Sequence, residues 1–280
     1  MAGNTSSINS ELFANLVVEA QMAAYENSVV RQIATVFDAP VNAGKVLQVP
    51  VWDAMTAASL TDGTAPSSAG TNTTSVSITL GEIGIYHQIT DMLRDSAYSD
   101  VASQIGAQAG MSIAEKMDAD AWALFTSFGT EAGPGAAGEL TVDHILKAAA
   151  TLRGRKLTGP FYAVVHPLQA YNLKKALTAT TAYTANTNAG NRILDNFYVG
   201  SIAGVQIFES ALVAVDGSDD AIGAVFSPRA LGTAMRGTLT FEATRQAQNR
   251  ATDLMVTAVT GQALLNTTFG VKLTADALAN

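Results

Sequence analysis

The stretch from Lys45 to Thr90 constrains this chain more than any other. Leu47, Val49 and Val51 alternate with Gln48 and Pro50, and Val76, Ile78 and Leu80 alternate with Ser75, Ser77 and Thr79. Period two is the mark of a half-buried strand. The second run continues through Ile83, Ile85 and Ile89. Pro50 has no N–H to give a ladder, so the first run belongs at a sheet edge or a bulge. Between the runs, Thr61 to Thr73 is rich in Gly, Ser, Thr and Asn around Pro66, the composition of a flexible tip. Together these predict a long two-stranded hairpin. A hairpin this polar is marginal in water unless it packs on something else. It reads as a limb that lies on a neighbour, which points to an assembly subunit rather than an enzyme.

The remaining segments fall in a definite order. Ahead of the hairpin, Glu11 to Val30 predicts a helix, with Leu12, Leu16, Glu19 and Ala23 beside a second stripe of Phe13, Val17, Ala20 and Ala24. Ser10 is its N-cap candidate, and Pro40 and Gly44 end the pattern. After the hairpin, Asp91 to Ser96 reads as a short helical turn. Ser99 or Asp100 then caps a long helix to about Phe125. Its stripe is Val101, Ile105, Ala109, Ile113, Met117 and Ala121, closed by Leu124. Gly129 to Gly138 is a Gly/Ala/Pro loop. A mixed region follows: a helix from Thr141 to Arg153, a strand from Phe161 to Val165, and a helix from Pro167 to Leu177. The polar loop Thr178 to Asn191 leads to strands at Phe197–Val199, Val205–Phe208 and Ala221–Phe226. Leu231–Met235 and Leu239–Ala243 are expected to continue that sheet. Leu254, Val256 and Ala258 mark a longer strand, and Phe269, Val271 and Leu273 the last one. The mixed region reads as an insertion between the long helix and the final strands.

Composition supports a folded chain that hides much of its surface in the working state. Hydrophobic residues make up 48% and charged residues only 14% of 280. No apolar run approaches the ~18 residues that span a membrane, and no basic n-region with an apolar core begins the sequence. With no cysteine, disulfides, zinc thiolates and thiol nucleophiles are excluded. The net charge of −8 lies almost entirely before residue 101, where three basic residues face ten acidic ones. Small basic groups, Arg153/Arg155/Lys156 and Lys174/Lys175, come later. The acidic front half suits docking on basic patches of neighbouring copies. No basic stripe or recognition motif for specific DNA binding is present.

No motif concentrates reactive chemistry. Gly133-Pro134-Gly135-Ala136-Ala137-Gly138 matches a dinucleotide fingerprint by letter, but it follows a helix and contains a proline, so it reads as a flexible linker. His87, His144 and His166 lack metal-ligand spacing, and His166-Pro167 suits a turn or cap. Asp216 to Asp220 has the acids of a calcium loop, but Ala221 and Ser227 stand where the loop's glycine and glutamate belong, so it reads as a surface turn. Neither a nucleophile elbow nor a P-loop occurs. The sequons at Asn4, Asn72 and Asn266 carry no weight without a secretory signal. We therefore expect no catalytic, cofactor-binding or metal-binding residues and no cofactor.

Taken with this order of parts, the chain resembles the major capsid proteins of tailed bacteriophages, the Hong Kong 97-type fold. Gly44-Lys45-Val46-Leu47-Gln48-Val49-Pro50 looks like entry into that family's extended E-loop, and Val76 through Thr90-Asp91 like the return. Ser99 to Phe125, with Met117-Asp118-Ala119-Asp120, is similar to its spine helix. Phe161 to Leu173 looks like a strand-to-helix step of its axial domain, and Arg250 to Leu273 like return strands of its peripheral domain. The resemblance implies an α+β fold: an N-terminal arm (1–44), an E-loop hairpin (45–90), a peripheral domain (91–136 and 244–280) and an axial domain (137–243). It implies a capsid protein, not an enzyme, that self-assembles as hexamers and pentamers into an icosahedral shell around double-stranded DNA. The implied place is the virion, after assembly in the host bacterial cytoplasm. Implied partners are further copies of itself, with scaffold, portal or decoration proteins and non-specific contact with packaged DNA, and no membrane. Some relatives cross-link an E-loop lysine to a neighbour's asparagine. Here the limb beyond Lys45 has no lysine, and a donor toward Asn72 would have to be Lys116 or Lys272 of an adjacent copy, so a shell held without covalent links is expected. The readings from other classes are an oligomeric α/β enzyme with an unrecognised site and another phage structural part, such as a tail or decoration protein.

Overall fold

A computed structural model describes residues 28–42, 44–52, 73–96, 101–136, 138–179 and 201–278, with single positions or pairs between them. Most of the predicted helix from Glu11 to Val30, its cap Ser10, most of the tip, the Ser99/Asp100 cap, the loop after Ala179 and the Phe197–Val199 strand lie outside the described residues.

A short helix, α1 (Val30–Ile33), leads into β1 (Thr35–Asp38). Strands β2 (Val46–Trp52) and β3 (Thr73–Thr79) follow, then β4 (Gly81–Thr90), helices α2 (Asp91–Ser96) and α3 (Val101–Ala123), and a 3-10 turn at Leu124–Ser127. The next part holds α4 (Val142–Gly154), β5 (Phe161–Val165), α5 (Pro167–Ala179), β6 (Ser201–Ile202), β7 (Val205–Glu209) and β8 (Asp220–Phe226). The chain closes with β9 (Leu231–Gln246), β10 (Ala251–Leu264) and β11 (Gly270–Asp276).

Three sheets result. Strands β2 and β3 pair only with each other, so Pro50, opposite Ser75, sits where its missing N–H costs least. A four-stranded sheet has the order β1-β9-β10-β4, with β1 parallel to β9 and the other pairs antiparallel. Helix α3 lies across one face of it: Ala109, Ile113 and Met117 pack on Met235, Leu239, Val256 and Ala258. A five-stranded sheet has the order β11-β8-β5-β7-β6. Its α4 and α5 face buries Ile145, Ala148, Leu152 and Leu173 against Ala163, Val165, Val225 and Val271. The other face meets the end of α3, where Trp122, Phe125, Phe128 and Phe226 form one cluster with Val164. Phe125 and Phe226 rings lie 5.5 Å apart, and Trp122 Nε1 donates to Ser210 Oγ at 3.2 Å. Strand β5 is thus buried on both sides, which explains its unbroken apolar run.

Four expectations change. The return run is not one limb strand: β3 pairs with β2, whereas β4 joins the four-stranded sheet along ten residues of β10. Leu231–Met235 and Leu239–Ala243 are one strand, β9, and belong to the four-stranded sheet. A bulge with Gly237 at φ 65° interrupts the alternation and makes it read as two. The two sheets do not divide at residue 243, because β9 runs through it and β11 returns to pair with β8. The mixed region is therefore not a simple insertion. Finally, the Gly133–Gly138 run is not a loose linker. It is bonded along the outer edge of β11: Ala132 N–H donates to the Lys272 carbonyl (3.1 Å), Lys272 N–H to Thr130 (2.9 Å) and Gly135 N–H to Thr274 (3.2 Å). A Cβ on Gly133 would lie 2.4 Å from the Thr274 carbonyl oxygen, so close approach sets the glycine, and the loop covers an otherwise open strand edge.

Candidate assembly interface

The hairpin has a packed base and an exposed remainder. At the base, Ile78 (fully buried), Leu80 and Val49 pack with Ala39 and Ala234. The Thr79 carbonyl oxygen occupies the space a Cβ on Gly261 would need, at 2.4 Å. Ala234 and Met235 are neighbours on β9 and so point to opposite faces. Met235 faces α3, so the hairpin lies on the sheet face away from α3. Beyond the base the apolar side chains turn outward: Trp52 is 68%, Met55 74% and Leu60 75% exposed. Large side chains left bare on a Ser/Thr-rich strand pair are the mark of a surface that another chain covers. Val46 through Leu93 contains no lysine or arginine.

A second surface lies at the β4 edge. Ile85, Val256 and Phe241 are paired across the sheet and face α3. The adjoining row of Tyr86, Met255 and Glu242 faces outward, with Tyr86 60% exposed. Next to it Gln88 Nε2 donates to Asp253 Oδ1 at 2.8 Å. That bond, with further ones from Tyr86 and Gln246, holds the Asp253 carboxyl below its ordinary value. A shallow cavity of about 140 Å³ opens between β4 and α3, floored by Ile85, Ala109, Phe241 and Leu254. At the far end of β4, Arg245 grips Asp91 with two bonds of 2.7 and 2.6 Å.

The N-terminal segment is fastened by one buried carboxylate. Asp118, in the Met117–Asp120 run of α3, is 2% exposed. Its Oδ1 accepts from Ser28 Oγ (2.9 Å) and Val30 N–H (3.1 Å), and its Oδ2 from Val29 N–H (2.8 Å). It thereby supplies acceptors to the first N–H groups of α1, the role a side-chain cap plays. Burial pushes the Asp118 carboxyl above its ordinary value, with the three hydrogen bonds pulling the other way. Sequence reasoning placed Asp118 on the spine helix but did not see this clasp. Its one signal was an acid on the buried stripe of α3.

The singled-out residues have structural roles. Thr141 N–H donates to His144 Nδ1 at 3.1 Å, closing a capping box on α4. Burial lowers the His144 pKa, and Lys147 adds to the effect. His166 Nδ1 accepts from Leu168 N–H at 3.3 Å as β5 turns into α5, as its position before Pro167 predicts. His87 lies on β4, far along the chain from both. Asp216 Oδ1 accepts from Ser218 and Asp220 N–H at 2.8 and 3.0 Å, a tight turn ahead of β8. Lys116 pairs with Asp120 at 2.7 Å, and Lys272 with Glu131 at 3.5 Å. Lys45 is exposed at the hairpin base, and Asn72 lies outside the described residues. Among the described residues no cluster of His, Asp and Glu would hold a metal, and no helix is long and apolar enough to cross a membrane.

Comparison with known proteins assigns this architecture. Residues 72–279 match the family model described as phage capsid protein. No curated protein matches the sequence. Among solved structures, the capsid of the cyanophage P-SCSP1u superposes with a TM-score of 0.69 at 18% identity, covering 89% of this chain and 88% of that one. The mature capsid of bacteriophage PhiM1 gives 0.66 at 17% identity over 90% and 88%. The empty GTA particle capsid gives 0.64 at 14% over 89% and 90%. These matches place the chain in the Hong Kong 97-type α+β fold. The chain belongs to the phage capsid protein family, and is a structural component of the virion shell.

Proposed function

We propose that copies of this chain assemble as hexamers and pentamers, each laying its hairpin over an adjacent copy. In this reading residues 1–44 form the N-terminal arm and β2–β3 the E-loop. Helix α3 with the four-stranded sheet forms the peripheral domain, and the five-stranded sheet with α4 and α5 the axial domain. The observation that carries it is the contrast along the hairpin: a base buried on its own sheet, then Trp52, Met55 and Leu60 bare to solvent. A chain gains little alone from such a limb, whereas interfaces summed over many neighbours stabilise a shell without any single strong contact.

Deleting Ala57 to Thr71 tests it. The base stays paired, so the subunit should keep its far-ultraviolet spectrum and its unfolding midpoint. Closed shells, counted by electron microscopy and sedimentation, should disappear. Unfolding of the deleted subunit would place the limb in the core and sink the proposal.

A further inference from the structure

We propose that a basic patch at the end of the five-stranded sheet receives the acidic limb of a second copy. Its members are Arg153, Arg155, Lys156 and Arg229. This rests on the assembly reading above and adds where the limb lands. Helix α4 ends in Arg153, and the turn after it carries Arg155 and Lys156, the latter at φ 61°. Arg153 Nη2 donates to the Ala203 carbonyl. Arg155 donates to the Thr268 carbonyl and to Thr130 Oγ1. Arg229 projects from the 3-10 turn Pro228–Ala230, which is bonded to the 267–269 turn through Ser227 N–H and the Phe269 carbonyl at 3.0 Å. Two of the four cations are therefore fixed by backbone carbonyls, and Arg153, Lys156 and Arg229 are exposed.

None of the four makes an ion pair with a described residue. Of the other cations near this sheet, Lys174 pairs with Glu209, Lys175 with Glu139 and Lys272 with Glu131. Glu131, adjoining Thr130, is occupied by Lys272 and by Thr274 N–H. The patch therefore stands as concentrated, uncompensated positive charge on a chain of net charge −8. The complementary surface is the limb. From Val46 to Thr79 the charged residues are Asp53 and Asp62, with no cation among them. Asp62 is exposed and makes no ion pair with a described residue. Opposite charges held unpaired on one chain fit a contact between two copies, and such contacts set register and suppress wrong partners.

The test is a charge swap in the full-length chain. Lys156→Glu with Arg229→Glu leaves the carbonyl-bound arginines in place, so the subunit should fold with an unchanged midpoint. Its yield of closed shells should fall about tenfold or more at physiological salt. Asp53→Lys with Asp62→Lys should show the same loss. Combining all four should restore yield to within about threefold of the parent, because the coupling belongs to the pair. Unchanged yield in the Lys156/Arg229 variant overturns the inference. A loss that the swap does not restore overturns the limb as occupant. Normal shells with weakened binding to a 30-base-pair duplex would assign the patch to nucleic acid and equally overturn it. A parent chain that forms no shells even with a scaffold protein supplied refutes the assembly reading itself, a result distinct from all of these.

Discussion

Replacing Asp118 with alanine removes one side chain and leaves three donors, two of them on buried residues, without acceptors. Ser28 is fully buried and Val30 is buried, so water does not reach them readily. The Ser28 hydroxyl can rotate toward another acceptor, but the N–H groups of Val29 and Val30 are fixed by the start of α1. An orphaned buried donor costs about 1–3 kcal/mol, and loss of a helix cap about 1. Against this, the variant no longer buries a carboxylate, which recovers part of the loss. The net expectation is a destabilisation of about 2–4 kcal/mol, a large share of the ~5–15 typical of a domain. Urea unfolding of the dispersed subunit should show a lower midpoint at unchanged slope. Limited proteolysis should cut ahead of Val30 faster. Asp118→Asn, which keeps one acceptor oxygen, should lose about half as much. The pH dependence has a definite sign. The native carboxyl titrates above its ordinary 3.8, so the folded chain retains a proton that the unfolded chain has released. This group's contribution is greatest below 3.8, falls as pH rises toward the native value, and is flat beyond it. Asp118→Asn should remove that slope. A midpoint for the alanine variant within about 0.5 kcal/mol of the parent would refute the clasp as a structural anchor.

The hairpin base and its exposed part should respond oppositely. Ile78→Ala, at a fully buried site, should cost about 2–5 kcal/mol of subunit stability by equilibrium unfolding. Trp52→Ala should leave stability within about 0.5 kcal/mol and depress shell formation. His144 and His166 both have lowered pKa values from burial, and each accepts an N–H at Nδ1. Their contribution is present above about 6.5 and lost as pH falls through the lower native values. His144→Gln, which also suits a capping box, should flatten part of that acid-side loss in a thermal-melt series. Shells boiled in detergent should run as one band near 29.0 kDa, since Lys116 and Lys272 are held in ion pairs and no lysine lies on the limb beyond Lys45. A covalent ladder abolished by replacing one lysine would overturn that expectation.

Local periodicity made most elements legible before any coordinates. The β2 and β3 alternation, the i+4 stripe of α3 and the helix opened by Pro167 depend on neighbours in sequence, and each stands where expected. Sheet membership was not legible. Ile78 and Ile83 belong to one alternating run, yet Leu80 divides them between two sheets, and nothing local marks the division. The bulge at Gly237 hid the continuity of β9 for the same reason: pairing with β10 is decided by residues far along the chain. The β11 edge needed Gly133 as a close-approach residue, and a glycine-rich run looks the same whether it is stitched down or loose. Asp118 was hardest to read, because a buried acid on an apolar stripe is recognised only through its partners 88 to 90 residues away.

The two attachments lie on opposite sides of one sheet. Asp118 fastens the N-terminal segment on the α3 side, and Ile78 with Gly261 fastens the hairpin on the other. Each anchor is buried within its own subunit, whereas the hairpin beyond its anchor bares apolar side chains. That division separates the requirements of folding from those of assembly. A subunit can complete its two cores before it meets a neighbour, because neither core borrows the limb's exposed residues. Trp52, Met55 and Leu60 are then free to contribute only when a second copy arrives. Substitutions at the anchors should therefore lower subunit stability and shell yield together, and substitutions beyond them should lower shell yield alone. An anchor variant with an unfolding midpoint equal to the parent but no shells would break that separation, and would place the anchors themselves at the contact between copies.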